Sequence, residues 1–171
     1  AWYDGRLNGT LAFFRIEQDN VASNIGTNPV TNEGIYKAIN GATTKGVELE
    51  LAGELAPGWN VTAGYTYART RDADDQRIFG FPLATTKPEH VVRLFNTYRL
   101  PGAFDQLTVG GGLRWQSGFY GNIYSPIAND YTRIKQGGYT LVDLMARYQY
   151  SEHLSFTVNA NNVFDKVFWK L

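Results

Sequence analysis

The sequence predicts an all-β fold, an antiparallel up-and-down sheet of the kind that forms transmembrane β-barrels. Seven stretches alternate apolar and polar residues, which gives each an apolar and a polar side. In one of them, residues 59–67, aromatic residues stand at both ends of the apolar side. Eight strand residues tilted by about 40° rise about 20 Å, close to the roughly 25 Å apolar band of such barrels. The gaps between the stretches are alternately short and long.

Each stretch is predicted as a strand from its own alternation. In the second, Val47, Leu49 and Leu51 take one side and Glu48 and Glu50 the other. The third starts after a Pro-Gly turn and has Trp59, Val61, Ala63 and Tyr65 on its apolar side. The predicted strands cover residues 6–21, 35–55, 59–70, 90–100, 107–118, 139–150 and a last one that starts at 154.

The connections assign the two ends of the sheet. Short turns are predicted at residues 4–5, 56–58, 101–105 and 151–153, and long loops at 22–34, 71–89 and about 119–138. Outer-membrane barrels have short periplasmic turns and longer extracellular loops. The short turns are therefore expected in the periplasm and all three long loops outside.

Composition excludes other classes. The 171 residues suit one domain, and no apolar run approaches the 18 residues of a transmembrane helix. The formal net charge is zero, so nothing indicates a nucleic-acid partner.

An odd number of strands leaves two open edges, which a bilayer does not tolerate. We therefore expect a piece of a larger barrel that lacks strands on both sides.

Four segments resemble the C-terminal barrel of TonB-dependent siderophore receptors, particularly the ferric-hydroxamate and pyoverdine types: residues 11–20, 44–55, 58–67 and 161–166, the last reading Asn-Asn-Val-Phe-Asp-Lys. The resemblance covers nearly the whole chain in order. It implies about seven strands of a roughly 22-stranded barrel. Residues 1–171 would then be a partial barrel domain, with the plug, the energy-coupling box and the final strand absent.

The resemblance also implies a function and partners. The parent would sit in the Gram-negative outer membrane, bind a ferric siderophore and import it with energy from the TonB–ExbB–ExbD complex, reached through the missing plug. Outer-membrane lipid would be a further partner. Iron would be cargo carried by the siderophore, with no covalent cofactor, no protein-bound metal and no enzymatic activity.

Candidate ligand contacts are expected near the outer mouth. Arg114 and Gln116 lie on the polar side of the fifth strand, and arginine suits anionic groups. Aromatic residues of the long loops could form walls for an apolar ligand face. The candidates are Phe79, Phe81, Arg114, Gln116, Tyr120 and Tyr124. The alternative for Arg114 is an ion pair with a carboxylate on a neighbouring strand.

Three other functions stay open on the residues alone. An outer-membrane hydrolase needs a catalytic triad or acid pair, and the two histidines, His90 and His153, have no defensible partners. A passive porin would be complete at about 16 to 18 strands. A soluble β-domain would bury its aromatic residues under a second layer. Residues 72–75 could hold a cation, but a solvated loop is favoured.

Overall fold

The computed structural model describes residues 5–39, 41–72, 87–125, 127 and 129–169. These residues form eleven β-strands, and their helical content is a single 3-10 turn at Gly102–Phe104. Within this part of the chain, no helix has the length and apolar character needed to cross a membrane. The strands are β1 (Leu7–Gln18), β2 (Val21–Thr27), β3 (Gly34–Ile39), β4 (Ala42–Ala56), β5 (Trp59–Asp72), β6 (His90–Arg99), β7 (Leu107–Gln116), β8 (Phe119–Ser125), β9 (Asp130–Gln136), β10 (Tyr139–Gln149) and β11 (Ser155–Ala160).

Seven of the strands form one antiparallel sheet in the order β1-β4-β5-β6-β7-β10-β11. Apart from two small hairpins, each strand pairs with its neighbours in the chain, so the predicted seven-stranded up-and-down sheet is confirmed. The turns between β4 and β5, β6 and β7, and β10 and β11 lie at one end of the sheet. The long connections lie at the other end.

The prediction of loops at residues 22–34 and 119–138 was wrong, because most of β2 lies in the first of these segments and pairs with β3, and the second contains the hairpin β8–β9. The predicted second strand is correspondingly divided between β3 and β4. Pairing continues in unchanged register from β1–β4 into β2–β3 and from β7–β10 into β8–β9. The hairpins therefore prolong the sheet beyond its long-loop end. Most of the remaining predicted loop, at residues 71–89, lies outside the described residues, which omit 73–86.

The two faces of the sheet differ as the alternation predicts. Register places the apolar residues of β5, β7, β10 and β11 on one face, called here the apolar face: Trp59, Val61, Ala63, Tyr65, Leu107, Val109, Leu113, Val142, Leu144, Phe156 and Val158. The opposite, polar face carries Thr62, Glu48, Glu50, Thr108, Arg114, Arg147 and Asn159. Large side chains on the apolar face are exposed, among them Phe13 at 75% and Val158 at 70%.

The apolar side chains therefore do not form a core. Among the described residues, the buried hydrophobic side chains are Leu7, Val61 and Leu141. No described element forms a second layer over the apolar face. The soluble-domain alternative, which required such a layer, does not fit this arrangement.

The apolar band slopes across the sheet. Directly opposed residues form a row that links Leu7 on β1 to Ala160 on β11 through one residue of each intervening strand. On β1 the apolar band rises from Leu7 to Phe13, whereas on β11 it falls from Ala160 to Phe156. Its upper limit thus shifts six residues, or about 20 Å, over six strand spacings of roughly 4.8 Å each. A horizontal band consequently requires strands tilted by about 35°, the tilt of transmembrane barrels.

Glycines on the polar face accommodate aromatic rings from the neighbouring strand. Phe95 lies directly opposite Gly112, and a Cβ at Gly112 would come within 2.7 Å of the Phe95 ring. Gly46 stands in the same relation to Phe14, whose ring occupies the space of the missing side chain. A ring that covers glycine backbone restores packing that the glycine lacks.

Candidate functional site

The β8–β9 hairpin carries the polar face beyond the end of the seven-stranded sheet. It joins β7 and β10 through Gly118 on one strand and Gly137 and Gly138 on the other. A Cβ at Gly118 would come within 2.9 Å of the Gln136 carbonyl oxygen, and one at Gly138 within 3.0 Å of the Gln116 carbonyl oxygen. The two strands approach each other closely at this joint, which accounts for the glycines there.

Tyr120 and two cations share the hairpin face that continues the polar face. The guanidinium carbon of Arg133 lies 4.5 Å from the centroid of the Tyr120 ring, a cation–π contact. Arg133 Nε also donates to Asn122 Oδ1 over a long 3.5 Å. Lys135 is directly opposite Tyr120 in the ladder. The hairpin thus presents an aromatic surface with adjacent positive charge, which suits an anionic ligand with an apolar or aromatic part.

Gln116 and Arg114 lie below this hairpin on the same face. Gln116 ends β7 opposite Tyr139, and Arg114 is two residues further down. Arg114 Nη2 is 3.0 Å from a carboxylate oxygen of Asp143 on β10. The other oxygen of Asp143 accepts a 2.8 Å hydrogen bond from the Asn162 backbone N–H. Arg114 therefore makes the neighbouring-strand ion pair considered as its alternative, and an anionic ligand would have to compete with Asp143.

Of the other three candidates, the structure places Tyr124 alone. The backbone of Tyr124 pairs with Tyr131 near the tip of the hairpin. Phe79 and Phe81 lie outside the described residues. The structure thus brings Arg114, Gln116 and Tyr120 onto one continuous face.

Sequence reasoning missed Arg133 and Lys135 because their segment was interpreted as a loop. The alternation of Tyr131, Arg133 and Lys135 with Thr132 and Ile134 is a strand signal. A strand predicted at residues 131–135 would pair with residues 119–125 as a hairpin. Arg133 and Lys135 would then have been placed on the same face as Tyr120.

A depression of about 460 Å³ lies in the middle of the polar face, lined in part by Glu50, Arg93, Phe95, Arg114 and Asp143. Arg93 and Arg114 are directly opposed on β6 and β7. Within the described part of the chain, Arg93 has no carboxylate within 4 Å, unlike Arg114. The middle of this face is therefore charged and contains a depression, whereas the middle of the apolar face of the described sheet carries no charged side chain.

An open meander with one face of exposed apolar side chains, an apolar band that slopes as tilted strands require, and a charged opposite face has the architecture of the wall of a transmembrane β-barrel receptor. Residues 1–163 match the family model described as TonB dependent receptor-like, beta-barrel. The chain belongs to this family. The predicted family, fold class and outer-membrane location are thereby confirmed.

The chain is similar to several siderophore receptors. The ferric-pyoverdine BN7/BN8 receptor of Pseudomonas putida is 43% identical over 97% of this chain and 18% of its own length. The crystal structure of the ferripyoverdine receptor of Pseudomonas aeruginosa bound to ferripyoverdine superposes with a TM-score of 0.86 at 43% identity, covering 99% of this chain and 22% of that one. The siderophore receptor PiuA of Acinetobacter baumannii gives a TM-score of 0.71 at 28% identity over 99% of this chain and 23% of its own. The chain spans about a fifth of the length of the curated relatives that it matches.

Proposed function

We propose that this chain is a wall segment of an outer-membrane receptor that binds a ferric siderophore of the pyoverdine type and imports it with TonB-coupled energy. The observation that carries the proposal is the 43% identity to ferric-pyoverdine receptors over nearly the whole chain. Membership of a TonB-dependent family favours active import over a passive porin. Iron is the cargo of the siderophore.

The open edges of the sheet support the proposal that the segment belongs to a larger barrel. Among the described strands, β1 pairs only with β4 and β11 only with β10. The outer backbone edges of β1 and β11 therefore need partners. An unpaired backbone group in hydrocarbon costs several kcal/mol. We refer below to the complete receptor, meaning this chain with the further barrel strands and the plug that the family implies.

The two faces support opposite roles in that receptor. The apolar face would contact lipid, because its large side chains are exposed and its band matches a tilted barrel. The polar face would line the lumen and contact the plug, through which the energy-coupling complex acts. On this assignment the β2–β3 and β8–β9 hairpins extend outside the cell.

Within this receptor, the β8–β9 hairpin would supply part of the siderophore contact surface. Tyr120 offers a ring, Arg133 and Lys135 offer cations, and Gln116 offers an amide below them. Loops and hairpins on a rigid scaffold commonly carry recognition. Phe79, Phe81 and Tyr124 remain predicted contacts. Arg114 is a less direct candidate because Asp143 engages it.

The siderophore contact is tested with Tyr120→Ala combined with Arg133→Ala in the complete receptor. We expect ferric-pyoverdine affinity to fall about tenfold or more, since a cation–π pair and the ligand contacts of both groups are lost. Thr132→Ala is the matched control, because Thr132 lies on the opposite face of β9. Equal affinities for the wild type and the double variant in a direct titration would exclude this hairpin from the site.

The function itself is tested by uptake of radioactive iron bound to pyoverdines, in cells whose other pyoverdine receptors are deleted. We expect uptake that depends on both the complete receptor and TonB. Uptake independent of TonB would favour the porin alternative. Absence of uptake with every pyoverdine tested, despite folded receptor in the outer membrane, would contradict the proposed cargo.

A further inference from the structure

At the long-loop end of the sheet, the apolar face of β1, β4 and β5 ends in four basic side chains. We call this group the cation cluster: Arg15, Lys45, Arg69 and Arg71. Arg15, Lys45 and Arg69 are directly opposed on β1, β4 and β5 and form one row. Arg71 lies in the next row, opposite Thr43. Besides these four, the apolar face of the seven-stranded sheet carries a single charged residue, Glu17, which is opposite Thr43. Charge on this face is thus confined to one corner.

The positive charge of the cation cluster is only partly balanced by carboxylates. Like charges directly opposite each other in a sheet are destabilising, and Lys45 has an arginine on either side. Arg15 pairs with Glu17, and Arg69 Nε lies 3.6 Å from a carboxylate oxygen of Glu89. In the part of the chain that the structure describes, Lys45 is exposed and has no carboxylate within 4 Å. Four cations therefore face two carboxylates.

The surroundings of the cluster are apolar on its inner side. The row below it contains Phe13, Val47 and Tyr67, which are directly opposed in the same way. Tyr67 packs on His90 with ring centroids 4.8 Å apart. Between these side chains and the cations lies a depression of about 700 Å³. Its lining suits an amphiphile with an apolar body and an anionic head.

We propose that the cation cluster binds the phosphate-bearing headgroup of an anionic lipid in the outward-facing leaflet, with acyl chains along Phe13 and Val47. This inference rests on the proposed function, because it requires the apolar face to contact lipid. Arginine and lysine are the usual partners of phosphate, and the row from Arg15 to Arg69 spans about 10 Å, the width of a headgroup. Elsewhere the apolar face ends in His90, Trp115 and Thr140 rather than in cations. A general belt of long basic side chains at the membrane boundary would not be restricted to β1, β4 and β5.

The test measures lipid retained by the complete receptor. Receptor purified in neutral detergent is incubated with phosphatidylcholine alone or mixed with a phosphorylated glycolipid such as lipid A, and bound lipid is counted by native mass spectrometry. We expect selective retention of the phosphorylated lipid by the wild type. Lys45→Gln with Arg69→Gln should weaken retention roughly thirtyfold, as two juxtamembrane cations are removed. Arg93→Gln with Arg147→Gln removes the same charge from the polar face and should leave retention unchanged.

Further experiments distinguish lipid phosphate from inorganic phosphate, and the lipid site from the proposed transport function. Lys45→Arg with Arg69→Lys preserves the charge and should restore retention. Inorganic phosphate at equal concentration should not displace the lipid, since it lacks acyl chains. Retention that is equal in wild type and the glutamine variant, or displacement of the lipid by inorganic phosphate, would overturn the lipid site. Iron uptake should be normal in the glutamine variant, so failure of the lipid site leaves the proposed transport function unaffected.

Discussion

An arginine in the middle of the apolar band should destabilise the barrel far more than the same arginine on the polar face. Leu144 suits this test because it lies at the middle of the band on β10 and is 52% exposed. Val61 on the same face is only 8% exposed, so a substitution there would also disrupt packing against its neighbours. For Leu144→Arg we expect a loss of about 2–4 kcal/mol in the free energy of unfolding in lipid.

Two controls isolate the effect of the charge on the apolar face. Leu144→Ala removes the side chain beyond Cβ, and because only about half of Leu144 is packed against protein, a loss of about 1–2 kcal/mol is expected. Thr62→Arg places the guanidinium on the polar face, where it should change stability by about 0.5 kcal/mol or less. The assay is denaturant unfolding of the complete receptor in lipid vesicles, followed by tryptophan fluorescence. If Leu144→Arg costs no more than Thr62→Arg, the assignment of the two faces is wrong.

Three further substitutions test individual features of the sheet in the same assay. Gly53→Ala should cost about 3 kcal/mol or more, because Gly53 has φ +146° and a Cβ would fall on the Arg6 carbonyl oxygen; an unchanged unfolding midpoint would contradict this geometry. Asp143→Asn should cost about 1 kcal/mol or less, because the Arg114 pair is partly exposed, whereas Asp143→Leu, which also leaves the Asn162 N–H without its acceptor, should cost about 1–3 kcal/mol. Phe95→Ala should cost about 1 kcal/mol by uncovering Gly112, and Phe95→Leu should recover part of it; equal losses for both would argue against ring packing.

The seven-stranded sheet was predictable because each of its strands has one apolar and one polar side, and period-two alternation reports this difference directly. The β2–β3 and β8–β9 hairpins escaped because they lie beyond the apolar band, where apolar and polar residues occur on both faces and the alternation has less contrast. Gly118 and Gly138, at the base of the β8–β9 hairpin, allow a close approach of two paired strands.

The site was predicted less completely because its residues lie on different strands and come together only through the pairing register of those strands. Tyr120 and Arg133 are thirteen residues apart in sequence, and only the β8–β9 pairing brings the guanidinium over the ring. Arg114 was recognised as having two possible partners, but Asp143 follows from the β7–β10 register, which the alternation of single strands does not reveal. The cation row is a similar case, with three strands contributing one residue each.

The meander also bears on how the chain acquires its structure. Each strand of the sheet pairs with the next sheet strand along the chain, and the two longest connections contain the hairpins β2–β3 and β8–β9. The pairing of each hairpin begins in register with the sheet, and β2–β3 then has a register shift between Asn24 and Gly26. No pairing in the described sheet has to wait for a distant segment, so the loop-closure entropy of each step is small. Hairpin-by-hairpin growth is therefore the kinetically accessible route, with each completed strand serving as the template edge for its successor.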